Sequence, residues 1–438
     1  MGAEVAVIML VVLFSLILLG VHIGIALGLV SGLGIVFITS DIEVALSLIS
    51  ATAYDAVRNQ IFAVIPLFIL MGDIIGKSGA AKDLYKMCDR GLSRIAGRLA
   101  VSTVAGNALF AAVTGVSIAS AATFSRIAYP EMRRAGYKKE FALGAVAGSA
   151  CLGMLIPPSI LLIVWGILTE ISIGSLFVAG VIPGVVLALL FMTYCAVAAY
   201  RNPEIAPSII KNTEEVKVPG ERRKEFLGGL GILSLVCMII GGIWGGLFTP
   251  TESAGFGVIG AIILGVAKGM RLEGLMQAIY DAGKTTAPIM FLLITASMYS
   301  KFLAYAGIVG IIQTFFNDLG VSPAVLILLI ALIWLILGMV IDSVSIILLT
   351  VPIFAPLVSV AAFDPLAFAI FGILIIEAGL LSPPFGLLVY TVKGSVPDPT
   401  VTLNEIFSGS FPYLIMIIAV AGLIWVFPIL ATWVPSIM

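Results

Sequence analysis

The sequence predicts an all-α polytopic membrane protein built from two inverted repeats, each carrying one re-entrant helical hairpin. Three observations lead there. Of 438 residues, 61% are hydrophobic and 11% charged, against roughly a quarter charged in a soluble domain. Lys and Arg fall in a few clusters, which fixes sidedness because cytoplasmic loops collect positive charge. Short phrases then recur in the same order at a nearly constant separation. The 46 glycines and 21 prolines interrupt the apolar runs, as expected where backbone breaks inside the bilayer and is satisfied by protein or water.

Placing the clusters Lys77 to Lys139, Arg201 to Lys224, Lys268 to Lys284 and Lys393 inside accounts for all Lys and Arg except Arg58 and Lys301. Threading about ten spans through that frame starts outside, with spans near 5–19, 23–38 and 61–75 and with Asp41, Glu43 and Asp55 in an outer loop. His22 is read as a helix-end residue. Residues 1–76 thus form the N-terminal spans, with an extracytoplasmic N-terminus. Lys82, Lys86, Arg90, Arg94 and Arg98 then repeat at i, i+4 with Leu84, Cys88, Leu92, Ile95 and Leu99 on another face. That pattern predicts an amphipathic helix from Ala81 to Arg98 along the inner membrane surface, within an arm at 77–98.

Residues 99–125 are apolar yet basic at both ends, so they enter and leave on the inside as a hairpin turning around Thr114-Gly115-Val116-Ser117. Its Ala, Ser, Thr and Gly content permits close backbone packing. The run 141–168 then crosses outward and is interrupted at Leu155-Ile156-Pro157-Pro158-Ser159, where two prolines remove helix donors. A return span ends at Tyr200, completing 99–200, and 201–226 reads as a cytoplasmic linker.

The second half repeats the first. Pro66-Leu67-Phe68 matches Pro288-Ile289-Met290, Val116-Ser117-Ile118 matches Val344-Ser345-Ile346, and Gly153 to Pro158 matches Gly379 to Pro384. Spans over 227–316 lead to a second hairpin in 317–364, flanked by Asp318 and Asp364 and without Lys or Arg, which opens outward. A broken span at 365–393 and a last span in 394–438 return the C-terminus outside. Opposed copies of this kind are the arrangement of secondary transporters that bind solute near the midplane between discontinuous helices.

Other classes are excluded on composition. A net charge of −1 leaves no basic surplus for nucleic acid. Cys88, Cys151, Cys195 and Cys237 lie far apart, and one histidine cannot build a transition-metal or His-based catalytic site. Gly72 to Ser78 and Gly283-Lys284-Thr285 fail the phosphate-loop spacing, so no ATP chemistry is expected. Asp342 and Glu377 as the carboxylate pair of an intramembrane enzyme lack any accompanying nucleophile and base; no catalytic residue is assigned.

Intramembrane polar groups are functional candidates by default. Asp342 falls at the second hairpin turn, opposite Ser382-Pro383-Pro384, and Glu377 stands about a turn and a half before that break, with an uncertain role. Hydroxyls, a carboxylate and freed carbonyls suit a hard cation such as Na⁺.

The phrases Ile65 to Gly72, Ile156 to Ser159, Ser172 to Gly184, Thr249 to Ala254 and Glu377 to Pro384 resemble the large membrane (M) subunit of tripartite ATP-independent periplasmic, or TRAP, transporters, over nearly the whole chain. The resemblance implies a Na⁺-driven importer of small organic anions, such as C4-dicarboxylates or sialic acid, in the inner membrane. It implies an elevator-type fold like that of the ion transporter superfamily, in which a domain bearing both hairpins slides against a scaffold. It also implies a four-span small membrane subunit, expected as a separate polypeptide, and a periplasmic binding protein that delivers solute. Carried over by position, Thr114, Gly115, Ser117, Leu155, Ile156 and Pro157 would hold one Na⁺. Gly338, Asp342, Ser343, Ser345, Ser382 and Pro383 would hold another. Thr114, Gly115, Ser117, Ser159, Ser345 and Ser382 would face the substrate, whose carboxylate would meet the helix N-termini at the hairpin turns. A stand-alone symporter or antiporter that needs no binding protein is the alternative within the wider elevator class.

Overall fold

A computed structural model describes residues 2–207, 221–308, 310–312, 314, 322–359 and 362–437. Most of the expected linker, at 208–220, and Asp318 lie outside the described residues. The regular structure among the described residues is helical, without a strand. Seven helical segments among them are long and apolar enough to cross a membrane.

The first helices are α1 (Gly2–Leu18) and α2 (Ile23–Thr39), followed by α3 (Ile42–Arg58) and α4 (Val64–Ser78). His22 is the N-cap of α2, its Nδ1 accepting from Gly24 N at 3.2 Å, as its helix-end reading required. The outer loop containing Asp41, Glu43 and Asp55 is instead helix α3. Asp41 caps it by accepting from the amides of Glu43 and Val44, and Ala45, Thr52 and Ala56 give it a buried side. Capping and a small-residue face were enough to fold a segment whose acids read as loop.

The arm helix α5 (Ala80–Gly91) is shorter than expected. Residues 92–97 form turns, Gly97 adopts φ +66°, and Arg98 already opens the next helix. Arg94 therefore leaves the basic stripe. Leu84, Tyr85 and Cys88 are buried, while Lys86 (2.6 Å) and Arg90 pair with Glu225 at the start of α12 (Glu221–Trp244). Lys268 pairs with Asp83, and Arg98 meets Asp89 at 3.2 Å. The arm is clamped onto protein by these ion pairs.

Hairpin 1 consists of α6 (Arg98–Thr114) and α7 (Ser117–Arg134), and the first broken span of α8 (Lys139–Ala150), α9 (Leu152–Leu155) and α10 (Ile160–Thr169). Hairpin 1 is longer than the expected 99–125, because α7 runs through Pro130 to Arg134. The span α11 (Ile173–Arg201) closes the first repeat. After α12 come α13 (Pro250–Ala267) and α14 (Leu272–Ala306), hairpin 2 as α15 (Pro323–Gly338) and α16 (Ser343–Phe354), the second broken span as α17 (Pro365–Gly379) and α18 (Leu387–Ser395), and finally α19 (Leu403–Val426) and α20 (Ile429–Ser436). Two of the repeated phrases occupy equivalent places: Pro66 and Pro288 inside α4 and α14, and both prolyl pairs in the helix breaks. The third is shifted, since Ser117 is the first residue of α7 and Ser345 the third of α16, where Ser343 holds the equivalent place. Peptides 157–158 and 383–384 are both cis.

Candidate functional site

The two hairpin turns and two helix breaks converge on one buried carboxylate. Glu377, 1% exposed on α17, accepts from Ser117 Oγ at the tip of hairpin 1 at 2.6 Å and from Ser343 Oγ at the tip of hairpin 2 at 2.8 Å. The Cys151 thiol, beside the first break, reaches the Glu377 carbonyl at 3.7 Å. Each carboxylate oxygen is therefore occupied by a different repeat. Hydrogen bonds to a charged group are worth about 1.5–3 kcal/mol, and a buried hydroxyl that loses its acceptor costs about 1–3 kcal/mol. Glu377 accordingly joins the hairpins, and the role left open for it becomes a position at the centre of the site.

Backbone contacts repeat the same joint on both sides. Ile160 N, after the first break, donates to Gly115 O at 3.2 Å, and Gly386 N, after the second, donates to Met339 O at 3.2 Å. Residues 160 and 386 are equivalent in the two repeats. Gly115 turns hairpin 1 with φ +63°, where a Cβ would stand 2.6 Å from Pro158 O. On the same side a Cβ at Gly153 would lie 2.9 Å from Ser117 N. Its repeat partner Gly379 is packed on hairpin 2, where a Cβ would come 2.6 Å from the Cα of Gly338. Only glycine permits these backbone contacts.

Of the expected first cation set (Thr114, Gly115, Ser117 with Leu155, Ile156, Pro157), those contacts place Gly115 and Ser117 against the first broken span; of the second (Gly338, Asp342, Ser343, Ser345 with Ser382, Pro383), they place Gly338 against α17. Their side chains divide into two kinds. Ser117 and Ser343 point at Glu377. Thr114 Oγ1 donates to Phe110 O at 3.0 Å, Ser382 Oγ to Ala378 O at 2.9 Å, and Ser159 Oγ to Met154 O while capping α10. Asp342 caps α16 through Ser345 N at 3.0 Å. It orders the second hairpin tip, and Glu377, not Asp342, is the acid both tips share. Among the described residues no group of three His, Cys, Asp or Glu side chains could hold a metal ion. A cation here would meet mainly hydroxyl and carbonyl oxygens, the donor set that fits Na⁺.

Sequence reasoning missed Cys151 and Gly153 as members of the site. The signal available was positional, since both lie just before the first proline pair. A cavity of about 390 Å³ lies at the open end of hairpin 2, lined among others by Trp165, Thr169, Ser300, Pro352 and Phe368, with no charged residue. Neither false phosphate loop is a loop, since 72–78 lie in α4 and 283–285 in α14. The phrase at Thr249 is a capping box at the start of α13: Thr249 Oγ1 accepts from Glu252 N at 3.3 Å, and Glu252 accepts from Thr249 N at 2.8 Å.

An all-helical membrane protein with repeated hairpins and discontinuous helices meeting at a central polar site has the architecture of a transport protein. The chain belongs to the family described as the tripartite ATP-independent periplasmic transporter DctM component, whose model matches residues 10–430. It is 31% identical to the C4-dicarboxylate TRAP transporter large permease protein DctM of Pseudomonas aeruginosa over 94% of this chain and 92% of that protein. It is 30% identical to the sialic acid TRAP transporter large permease protein SiaM of Vibrio cholerae, over 87% of each, and 30% identical to the ectoine TRAP transporter large permease protein TeaC of Halomonas elongata, over 86% of each. Among solved structures, the YdaH transporter of Alcanivorax borkumensis has a similar fold, with a TM-score of 0.57 and 13% identity over 87% of this chain and 88% of that one.

Proposed function

We propose that this chain is the large membrane subunit of a Na⁺-driven importer of a small carboxylate-bearing solute, working by an elevator movement of both hairpins. The observation that carries the reading is the bridging of Ser117 and Ser343 by Glu377. One acid ties the two pseudo-symmetric tips into one body, so they move together. The solute class follows from the relatives named for C4-dicarboxylate, sialic acid and ectoine, each of which bears a carboxylate. The N-terminus of α7 is the better seat for it. No side chain caps α7, whereas Asp342 already takes the Ser345 amide at the start of α16 and would repel an anion there.

Na⁺ would lie at the turns between hydroxyl and carbonyl oxygens, offsetting the charge of Glu377 and of the solute. A separate four-span membrane subunit and a periplasmic binding protein would complete the assembly in the bacterial or archaeal inner membrane, with both termini of this chain outside. The purified subunit heated in detergent tests the cation reading. Na⁺ should raise its melting temperature at constant ionic strength while K⁺ does not, and Ser117→Ala with Ser343→Ala should remove that difference. Equal stabilisation by both cations would overturn the cation assignment.

A further inference from the structure

The two hairpins are alike in path and opposite in polarity. Hairpin 1 buries Ser102, Asn107, Ser120 and Ser125 completely. The three hydroxyls and the Asn107 carboxamide oxygen find no hydrogen-bond partner among the described residues. Asn107 Nδ2 donates to Ser149 Oγ of α8 at 2.6 Å, extending the polar row onto the broken span. Counted from the tip residues Ser117 and Ser343, the positions in hairpin 2 that match Ser120 and Ser125 are Ile346 and Val351, and α15 contains no Ser, Thr, Asn or Gln. Its inner hydroxyl, Thr350, is satisfied by Trp334 Nε1 at 2.8 Å and by Ile346 O.

Buried polar groups without a protein partner hold ordered water where the site is polar and roomy enough. Ser117, Ser120 and Ser125 all lie on the buried side of α7, descending about 12 Å from the tip toward the inner end at 1.5 Å per residue. We propose that hairpin 1 holds a file of bound water along these groups, from its cytoplasmic end toward the Ser117–Glu377 contact. Hairpin 2 is dry. The water file does not rest on the Na⁺-driven reading.

Cysteine access to Ag⁺, an ion small enough to follow water, tests it in the full-length protein in inside-out vesicles. Thiols that Ag⁺ has blocked are read as lost maleimide labelling after denaturation, with the unsubstituted protein giving the background of the native thiols. Ser120→Cys and Ser125→Cys should be blocked at least tenfold faster than Ile346→Cys and Leu348→Cys, which are as deeply buried and do not line the cavity. Equal rates at the two hairpins would overturn the proposal. Should the hairpin 2 variants misfold, the double replacement Ser120→Ala with Ser125→Ala decides. Removing hydroxyls that water satisfies lowers the melting temperature, whereas removing hydroxyls that nothing satisfies raises it. Neither measurement uses substrate. A dry hairpin with intact uptake therefore refutes the water file alone, and a wet hairpin without Na⁺-driven uptake refutes the transport reading alone.

Discussion

Glu377→Gln keeps the shape at the centre of the site and removes the charge. Two hydroxyl bonds, at 2.6 and 2.8 Å, then fall from the charged class, worth about 1.5–3 kcal/mol, to the neutral class at about 0.5–1.5 kcal/mol. Summed over both bonds the loss is about 2–3 kcal/mol, which is about 30- to 150-fold in any equilibrium that depends on the joint. Initial uptake in proteoliposomes, titrated with Na⁺, should show both a lower rate and a weaker Na⁺ half-saturation. Ser117→Ala and Ser343→Ala should each produce part of the same loss, and each should add little once Glu377→Gln is present, because contacting residues are not additive. Additive effects, or a Glu377→Gln variant with unchanged Na⁺ dependence, would refute the bridge.

Gly379→Ala should lower stability by about 1–3 kcal/mol through overpacking, because its Cβ meets backbone of Gly338 that cannot swing away; thermal unfolding in detergent reads this, and an unchanged midpoint would contradict the close approach. Asp342→Ala should cost about 1 kcal/mol as a lost cap and Asp342→Asn much less, read the same way. At the arm, Lys86 and Arg90 both pair with Glu225, and neutralising that carboxylate removes both ion pairs. Hydrogen exchange over residues 80–91 should be faster in Glu225→Gln than in the parent at pH 7, with the gap closing under acid.

Both hairpins were legible because three signals coincided: basic charge placed at one end or at none, phrases repeated at one offset, and proline pairs at the breaks. Other elements were hidden for local reasons. Helix α3 reads as loop by its acids, and only Asp41 capping the segment and a face of Ala45, Thr52 and Ala56 make it a helix. The arm's basic stripe continues in sequence beyond Gly91, where the helix does not. The centre was half legible. Glu377 stood out as an intramembrane acid, but Ser117 is 260 residues away, and no local pattern says that one carboxylate serves both tips. Asp342 was more conspicuous at its turn and proves to cap its own helix.

Uptake of labelled C4-dicarboxylates, sialic acid and ectoine into proteoliposomes bearing this chain with its small membrane subunit tests the reading most directly, with and without an inward Na⁺ gradient and a periplasmic binding protein. Accumulation that requires both the gradient and the binding protein is the expected result. Accumulation that persists without a Na⁺ gradient would contradict it.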